Sequence, residues 1–420
     1  MSRSPFVLLL VLFSLFCAVI SQRTGPRGLS INCGAAEGIE IDGIVWLPDW
    51  SYAPPGVSKT LSLSGLDPVL STIRTFPFRR SEGRRQFCYV IDTVPGTKYL
   101  VRTRYFYGGV NGRRDPPVFD LIVDGTLWAV VNTTADYARN LSSYYEGVYK
   151  ARGRRIRLCL GGNNYTDSDP FISALEIIIL ERSVYNSTDF DKYALGLVQR
   201  SSFGHSGSIF RYPNDKFNRY WQPFIDRVET IRGSSNVSHS ELWNLPPRSI
   251  FETALVFNRT ESMQLQWPHF SLPNASYYIA LYFANPSSES SRALDVSING
   301  INFYKNLPVT SSGICIFASK WVLSGSTRIS LAPSDGSNLP PLINGGEVFS
   351  LVELGGLTAS TDVFALEDLK KHFKNPPPDW AGDPCLPPEF AWTGVSNLSN
   401  MNLSGTLSPG IANLTALTEM

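Results

Sequence analysis

Along most of the chain, apolar and polar side chains alternate instead of recurring every third or fourth position. Tyr99–Gly108 reads as a half-buried strand, and Tyr277–Asn285 repeats its pattern 178 positions later. Phe119–Trp128 is echoed by Leu294–Phe303, offset by 175. In each of these an Asp-Gly or Asn-Gly pair separates two apolar runs, a strong hairpin signal. Pro170–Leu180 is echoed by Pro341–Leu351, offset by 171. Three matches in one order at nearly one offset predict two copies of a domain of roughly 170 residues. Both copies are dense in β-branched and aromatic residues with Gly, Pro, Asn and Asp punctuation. The expected class is all-β, as two tandem jelly-roll-like β-sandwiches.

The period changes only near the C-terminus. Thr361–Phe373 predicts a short helix capped by Thr361 or Asp362, with Phe364, Leu366, Leu369 and Phe373 as its apolar stripe. Asn375-Pro-Pro-Pro-Asp379 ends it, because proline cannot continue the ladder. Further on, Leu403, Leu407, Ile411, Leu414 and Leu417 fall at the spacing of a leucine-rich repeat. One such unit buries its leucines only against neighbouring units. The expectation is therefore the beginning of a leucine-rich-repeat solenoid in a longer protein, or a poorly ordered last element.

Composition changes the picture in two places. Apolar residues make up 43% and charged ones 17% of 420 residues, enough for two or three globular domains. The net charge of +1 is uninformative, but Arg74 to Arg157 carries sixteen Lys and Arg against seven Asp and Glu. That local excess predicts a basic face on the first domain. Arg3 followed by the apolar run Phe6–Ile20 reads as a secretory signal, too short to span a bilayer, with cleavage after Ser21. Ten Asn-x-Ser/Thr sequons agree with secretion: Asn132, Asn140, Asn164, Asn186, Asn236, Asn258, Asn274, Asn397, Asn402 and Asn413. The expected location is the secretory pathway, then the cell surface or the apoplast. Membrane attachment is expected only through segments beyond Met420.

Cys17 leaves with the signal, so five cysteines remain: Cys33, Cys88, Cys159, Cys315 and Cys385. Without a Cys-x-x-Cys pair, zinc and redox-motif readings fall away, and disulfides are expected in an oxidising compartment. The odd count leaves at least one thiol unpaired or bonded outside the chain, and the pairing is open. His205, His239, His269 and His372 have no neighbours at metal spacing, so no metal site is expected. Gly204-His-Ser-Gly-Ser208 lacks the last glycine of a nucleophile elbow. With no phosphate loop and no paired carboxylates to nominate, neither an enzyme nor a cofactor is expected.

Loop aromatics and arginines are the candidate binding groups. Aromatic rings cover the C–H face of a sugar while Asn, Asp and Arg bond its hydroxyls. Tyr105 and Tyr107 end the first echoed strand and lead through Gly108 to Asn111. Tyr282 and Asn285 stand in the second echo. The competing reading places these aromatics in the core, where strand aromatics mostly pack. Arg79, Arg80, Arg84 and Arg85, and again Arg152, Arg154, Arg155 and Arg157, form dense basic clusters and predict an acidic polysaccharide or acidic peptide surface, against a merely solvated face. A nucleic-acid partner is excluded by the compartment.

Several short motifs resemble one family as a set. Ile31-Asn-Cys-Gly34, Tyr107-Gly-Gly, Pro117-Val-Phe-Asp-Leu121, Pro170-Phe-Ile-Ser-Ala-Leu-Glu176 and Arg211-Tyr-Pro-Asn-Asp215 resemble the motifs of plant malectin-like tandem domains. Trp380-Ala-Gly-Asp-Pro-Cys385 resembles the junction before leucine-rich repeats in plant receptor-like proteins with such an ectodomain. The resemblance implies malectin-like sandwiches over 28–185 and 190–357, a helix and Pro-rich linker over 361–379, the junction over 380–397 and a partial repeat over 398–420. In the related receptors the junction cysteine has a partner in a Trp-x-Gly-x-x-Cys run, where this chain has Asn397. The implied function is a non-catalytic recognition module of a receptor-like protein, binding a cell-wall glycan or a secreted peptide with a co-receptor protein. The alternative is a soluble secreted lectin.

Overall fold

The computed structural model describes residues 25–79, 85–234, 237–257, 262–286, 292–335, 337, 339–395 and 401–415. One eleven-stranded sheet runs through both halves of the chain. Its order is Ile39–Ile41, Ile44–Pro48, Gly28–Asn32, Ala174–Ile179, Lys98–Tyr105, Ser143–Lys150, Tyr193–Phe203, Gly345–Glu353, Leu272–Phe283 and Ile314–Gly325, with Gln222–Phe224 beside Tyr193–Phe203. The halves meet where Ser143–Lys150 pairs antiparallel with Tyr193–Phe203, Gly147 opposite Gly196. A Cβ at Gly147 would stand 2.9 Å from the Leu195 carbonyl and from Trp128, and one at Gly196 would stand 2.8 Å from the Ser350 hydroxyl. The seam therefore has no room for a Cβ at Gly147, whereas one at Gly196 would have to displace the Ser350 hydroxyl.

Each half covers its share of this sheet with two smaller ones. In the first half these are Gln86–Asp92, Arg155–Gly161, Phe119–Val123 and Thr126–Val131, and separately Phe171–Ile172, Thr72–Thr75 and Val57–Thr60. Inward residues such as Ile31, Tyr89, Val101, Phe119, Leu158 and Leu175 fill the space between. In the second half they are Met263–Gln266, Arg328–Pro333, Arg292–Ile298 and Ile301–Val309, then Glu229–Arg232, Thr253–Val256 and Leu342–Ile343. Leu265, Trp267, Leu281, Val296, Leu331 and Val348 form that core. Each buried aliphatic or aromatic side chain contributes about 1.5–3 kcal/mol.

The echoed segments occupy matching places. Lys98–Tyr105 and Leu272–Phe283 each pair with the strand of the third echo, Ala174–Ile179 and Gly345–Glu353. Both hairpins turn on two left-handed residues, Asp124 (φ 44) with Gly125 (φ 74) and Asn299 (φ 51) with Gly300 (φ 78). That backbone is the one the right-handed strand twist demands of a two-residue turn.

The far face of the long sheet is covered by the chain on either side of the Tyr193–Phe203 strand. Leu180, Val184, Tyr185, Phe217, Trp221, Ile250 and Phe251 pack there on Leu100, Val148, Leu195, Tyr278 and Phe349. One disulfide, Cys88–Cys159, joins facing residues of adjacent strands. Among the described residues, Cys33 is buried without a disulfide, Cys315 is half-buried and Cys385 is exposed.

The helix spans Ser360–His372, and its stripe corrects the sequence expectation. Val363, Leu366 and Leu369 face inward, whereas Phe364 is 70% exposed. At about 100° per residue, position 364 lies roughly 160° from Leu366, the middle of the 363, 366 and 369 stripe, and so faces nearly the opposite way. The expected side-chain cap is also absent: Ala359 holds the cap position. Asp362 instead accepts from the Thr415 N–H at 2.7 Å and its hydroxyl at 2.8 Å. The junction then folds back on the first half. Trp380 stacks on Trp392 at 5.2 Å, and Phe390 packs on Cys88, Cys159 and Ile122. Gln86 donates to the Phe390 carbonyl at 3.2 Å, and Arg157 pairs with Glu367 at 2.7 Å. In the expected repeat, Leu414 packs against Leu366, Trp380 and Trp392, while Leu407 is 64% exposed. No helix of the described residues is long and apolar enough to cross a membrane.

Candidate functional site

The aromatic candidates lie inside the fold, which corrects their reading as ligand contacts. Tyr105 is 0% exposed, with its ring edge-on to Phe119, Tyr145 and Phe171 and its hydroxyl without a partner. Tyr107 is 1% exposed and sits 5.0 Å from the Tyr137 ring. Its hydroxyl donates to the Asn111 carboxamide oxygen, and the Asn111 amide donates to the Ser168 hydroxyl at 2.7 Å. Tyr107 and Asn111 thus pin a loop together. Tyr282 is 0% exposed and donates to Glu347 at 2.6 Å. Asn285 is 2% exposed. Tyr105 and Tyr282 fall on faces of the long sheet that another layer covers, and Tyr107 and Asn285 lie just past the ends of the same two strands.

The basic cluster is only partly on the surface. Arg79 is exposed and Arg85 half-buried, its guanidinium 5.1 Å from the Phe87 ring centre; Arg80 and Arg84 lie outside the described residues. Many of the other cations are taken up internally. Arg74 grips Asp49 at 2.7 Å, Arg104 meets Asp67 at 2.6 Å, and Lys98 donates to the Arg182 carbonyl at 2.9 Å. Arg152 donates to the carbonyls of Gly355 at 2.9 Å and Asp124 at 3.1 Å. A local charge count therefore overstates the basic face, because sequence does not show which cations have partners. The sequon asparagines Asn132, Asn140, Asn164, Asn186, Asn274, Asn402 and Asn413 are all exposed, while Asn236, Asn258 and Asn397 lie outside the described residues.

Sequence reasoning missed a buried ionic network across the seam. Arg102 donates to Glu146 at 2.9 Å and to Glu176 at 2.9 Å. Arg200 donates to the other Glu146 oxygen at 2.7 Å and to Glu347 at 2.6 Å. All these side chains are fully buried. Tyr185 caps Glu347 at 2.6 Å, and Asn218 donates to Glu176. Arg219 pairs with Asp215 at 2.8 Å and donates to the Asn244 carbonyl at 2.9 Å. Burial pushes the Glu146 carboxyl up, but Arg200 and Arg102 beside it hold it below its ordinary value. Glu347 is lowered likewise, burial being outweighed chiefly by Arg200 and Arg219. The signal was present: Glu176 and Glu347 hold the same place in two echoed apolar runs. Each charged group of the network is paired within it, which makes it a scaffold rather than a reactive centre.

An open groove of about 980 Å³ lies along the Gln86–Asp92 strand, between Gly28–Leu29, Ser51–Tyr52 and the helix. Leu29, Val90, Ile177 and Ile179 give it an apolar lining, with Val90 37% exposed. Asp92, Arg155, Arg157, Glu367 and Lys371 supply charges of both signs. The Arg157–Glu367 pair ties the helix wall to the sheet wall.

The malectin-like domain family matches the chain over residues 31–351. The chain belongs to the malectin-like family. A probable LRR receptor-like serine/threonine-protein kinase of Arabidopsis thaliana is 27% identical to this malectin-like chain over 455 residues, covering 100% of the chain and 50% of the kinase. A second Arabidopsis relative, a leucine-rich repeat receptor-like serine/threonine-protein kinase, is 30% identical over 451 residues with the same coverages. The chain spans about half the length of the curated relatives it matches. Among solved structures, the ANXUR1 extracellular domain from Arabidopsis thaliana aligns with a TM-score of 0.62 at 16% identity, over 77% of this chain and 97% of that one. A chain from the complex of the plant peptide RALF23 with FER and LLG2 aligns with a TM-score of 0.61 at 15% identity, over 78% and 96%. At these identities the likeness is one of fold, and the fold is that of malectin-like ectodomains.

Proposed function

We propose that this chain is the non-catalytic recognition part of a plant cell-surface receptor-like protein, and that its ligand is a secreted peptide held together with a co-receptor protein. The observation that carries the reading is the groove along Gln86–Asp92, with an apolar lining and charges of both signs. An extended peptide offers alternating side chains and a polar backbone, which suit such a lining. The fold is shared with a chain of the RALF23, FER and LLG2 complex, which supports a peptide with a partner protein. A sugar at the Tyr105 and Tyr107 loop would need ring faces that are buried. The reading takes the halves as tandem jelly-roll-like sandwiches, 28–185 and 190–357, with 398–420 beginning a leucine-rich repeat. Arg79, Arg80, Arg84 and Arg85 would then meet an acidic portion of a ligand.

The test is capture of synthetic plant peptides by the secreted chain, measured by calorimetry with and without a candidate co-receptor. Val90→Asp places a charge on the half-exposed lining and is expected to weaken peptide binding by about tenfold or more. Peptide affinity unchanged in that variant would remove the groove as the site.

A further inference from the structure

The long sheet ends differently on its two sides. In the first half its edge strand is Ile39–Ile41, three residues long with Glu40 exposed. In the second half it is Ile314–Gly325, twelve residues long. A row of unpaired main-chain groups templates another strand, so proteins commonly shorten, charge or cover such an edge. Here the long edge is open. The Tyr282 carbonyl accepts from the Asn344 N–H on the Gly345–Glu353 side. Alternation then turns Leu281, Ile279 and Tyr277 towards Ile316, Ala318 and Trp321, their partners in the edge strand. The main-chain groups of Phe317 and Val322 therefore point outward, and among the described residues no backbone group bonds them there. The side chains are uncovered too. Val322 is 65% and Phe317 36% exposed, the Phe317 ring lying parallel to the Trp243 ring at 4.6 Å. A bulge sets both Ser319 and Lys320 opposite Tyr278. Lys320 is exposed, lies 5.8 Å from the Tyr193 ring and has no carboxylate partner among the described residues. Ile314–Gly325 itself contains no acid.

We propose that this edge docks an extended acidic segment of a partner protein, added as a further strand of the long sheet. Strand addition takes its affinity from main-chain bonds and its selectivity from alternate side chains. The outward groups of Phe317 and Val322 supply the first. Their exposed side chains supply apolar contacts, and Lys320 between them favours a carboxylate on the incoming strand. A second copy of this chain would bring the same cation and no acid on its own edge strand. A lysine in that place guards an edge against its own kind while leaving it open to the opposite charge.

The experiment titrates the secreted full chain by calorimetry with a capped synthetic peptide of alternating valine and glutamate. Its controls are the valine–lysine counterpart and the fully N-methylated acidic peptide, which has no N–H to donate. The acidic peptide is expected to bind saturably, and more weakly as salt rises. Neither control should bind. Lys320→Glu should weaken the acidic peptide by about tenfold or more and admit the lysine peptide. Val322→Pro removes an outward N–H that the sheet's own ladder does not use, so it should weaken binding by about tenfold at an unchanged melting temperature. Val322→Thr keeps that N–H and the branched shape, and should bind within a few-fold of the native chain. No binding of the acidic peptide up to millimolar concentration overturns the proposal. Equal binding of its N-methylated form does so too, as does affinity unchanged in Lys320→Glu or in a folded Val322→Pro. A dimer of the native chain in sedimentation that Val322→Pro dissolves would give the edge to a second copy and likewise overturn it. Val90→Asp should leave this binding intact, since Val90 lies in the first half, so the groove test fails or succeeds separately.

Discussion

Glu146 stands between two arginines, Arg102 from the first half and Arg200 from the second. Removing it leaves two buried cations short of a partner. Glu146→Ala is therefore expected to lose about 3–5 kcal/mol in urea unfolding. Tyr105 is the contrasting residue. Its buried hydroxyl has no partner, so Tyr105→Phe should change stability by less than about 1 kcal/mol and leave ligand binding alone. A measured loss of affinity would return Tyr105 to the binding surface. Asp124 gives a pH dependence. Burial raises its carboxyl from 3.8 to about 6. Because the folded value is the higher one, its contribution is complete below the unfolded value and is lost as pH rises through about 6. Melting temperatures over roughly pH 4 to 7 should fall for the native chain relative to Asp124→Asn, which keeps the left-handed turn. Parallel curves would show that Asp124 does not titrate in this range.

At the scale of elements, the junction is the part whose docking matters. Phe390 is 4% exposed against the Cys88–Cys159 disulfide, and a Cβ on Gly161 would come within 2.6 Å of its ring. Phe390→Ala is expected to weaken this docking by about 3–5 kcal/mol. Hydrogen exchange of 380–395 should then speed up while the long sheet stays protected. Equal acceleration everywhere would mean that the junction supports the whole first half. The helix shows how far periodicity reads. Its place and length were legible in Thr361–Phe373, but not which turn faced inward, because Phe364 and Val363 are both apolar and only the neighbours choose between them.

At the scale of the molecule, the shared sheet and the ionic network make the halves one mechanical body. Thermal unfolding followed separately by the Cys88–Cys159 half and the Trp267 half is expected to give one coincident transition. Two separated transitions in the native chain would mean that the seam couples the halves weakly. Rigidity of this kind would suit the proposed recognition role, since it holds the groove of the first half in a constant relation to the second.

Alternation, turn pairs and the three offsets determined by themselves that the chain is β-rich and that three of its segments recur in one order, because side-chain period and left-handed turns are local properties of the backbone. The apolar N-terminal run, the sequons and the short motifs likewise stood in the sequence, since each is read from contiguous residues. Only the tertiary structure decided that Gly147 meets Gly196, that Arg102 and Arg200 share one carboxylate, that Phe390 covers a disulfide, and that Tyr105 is core. These are meetings of residues tens to hundreds of positions apart. Burial and charge pairing depend on which surfaces come together, and no local pattern encodes the partner.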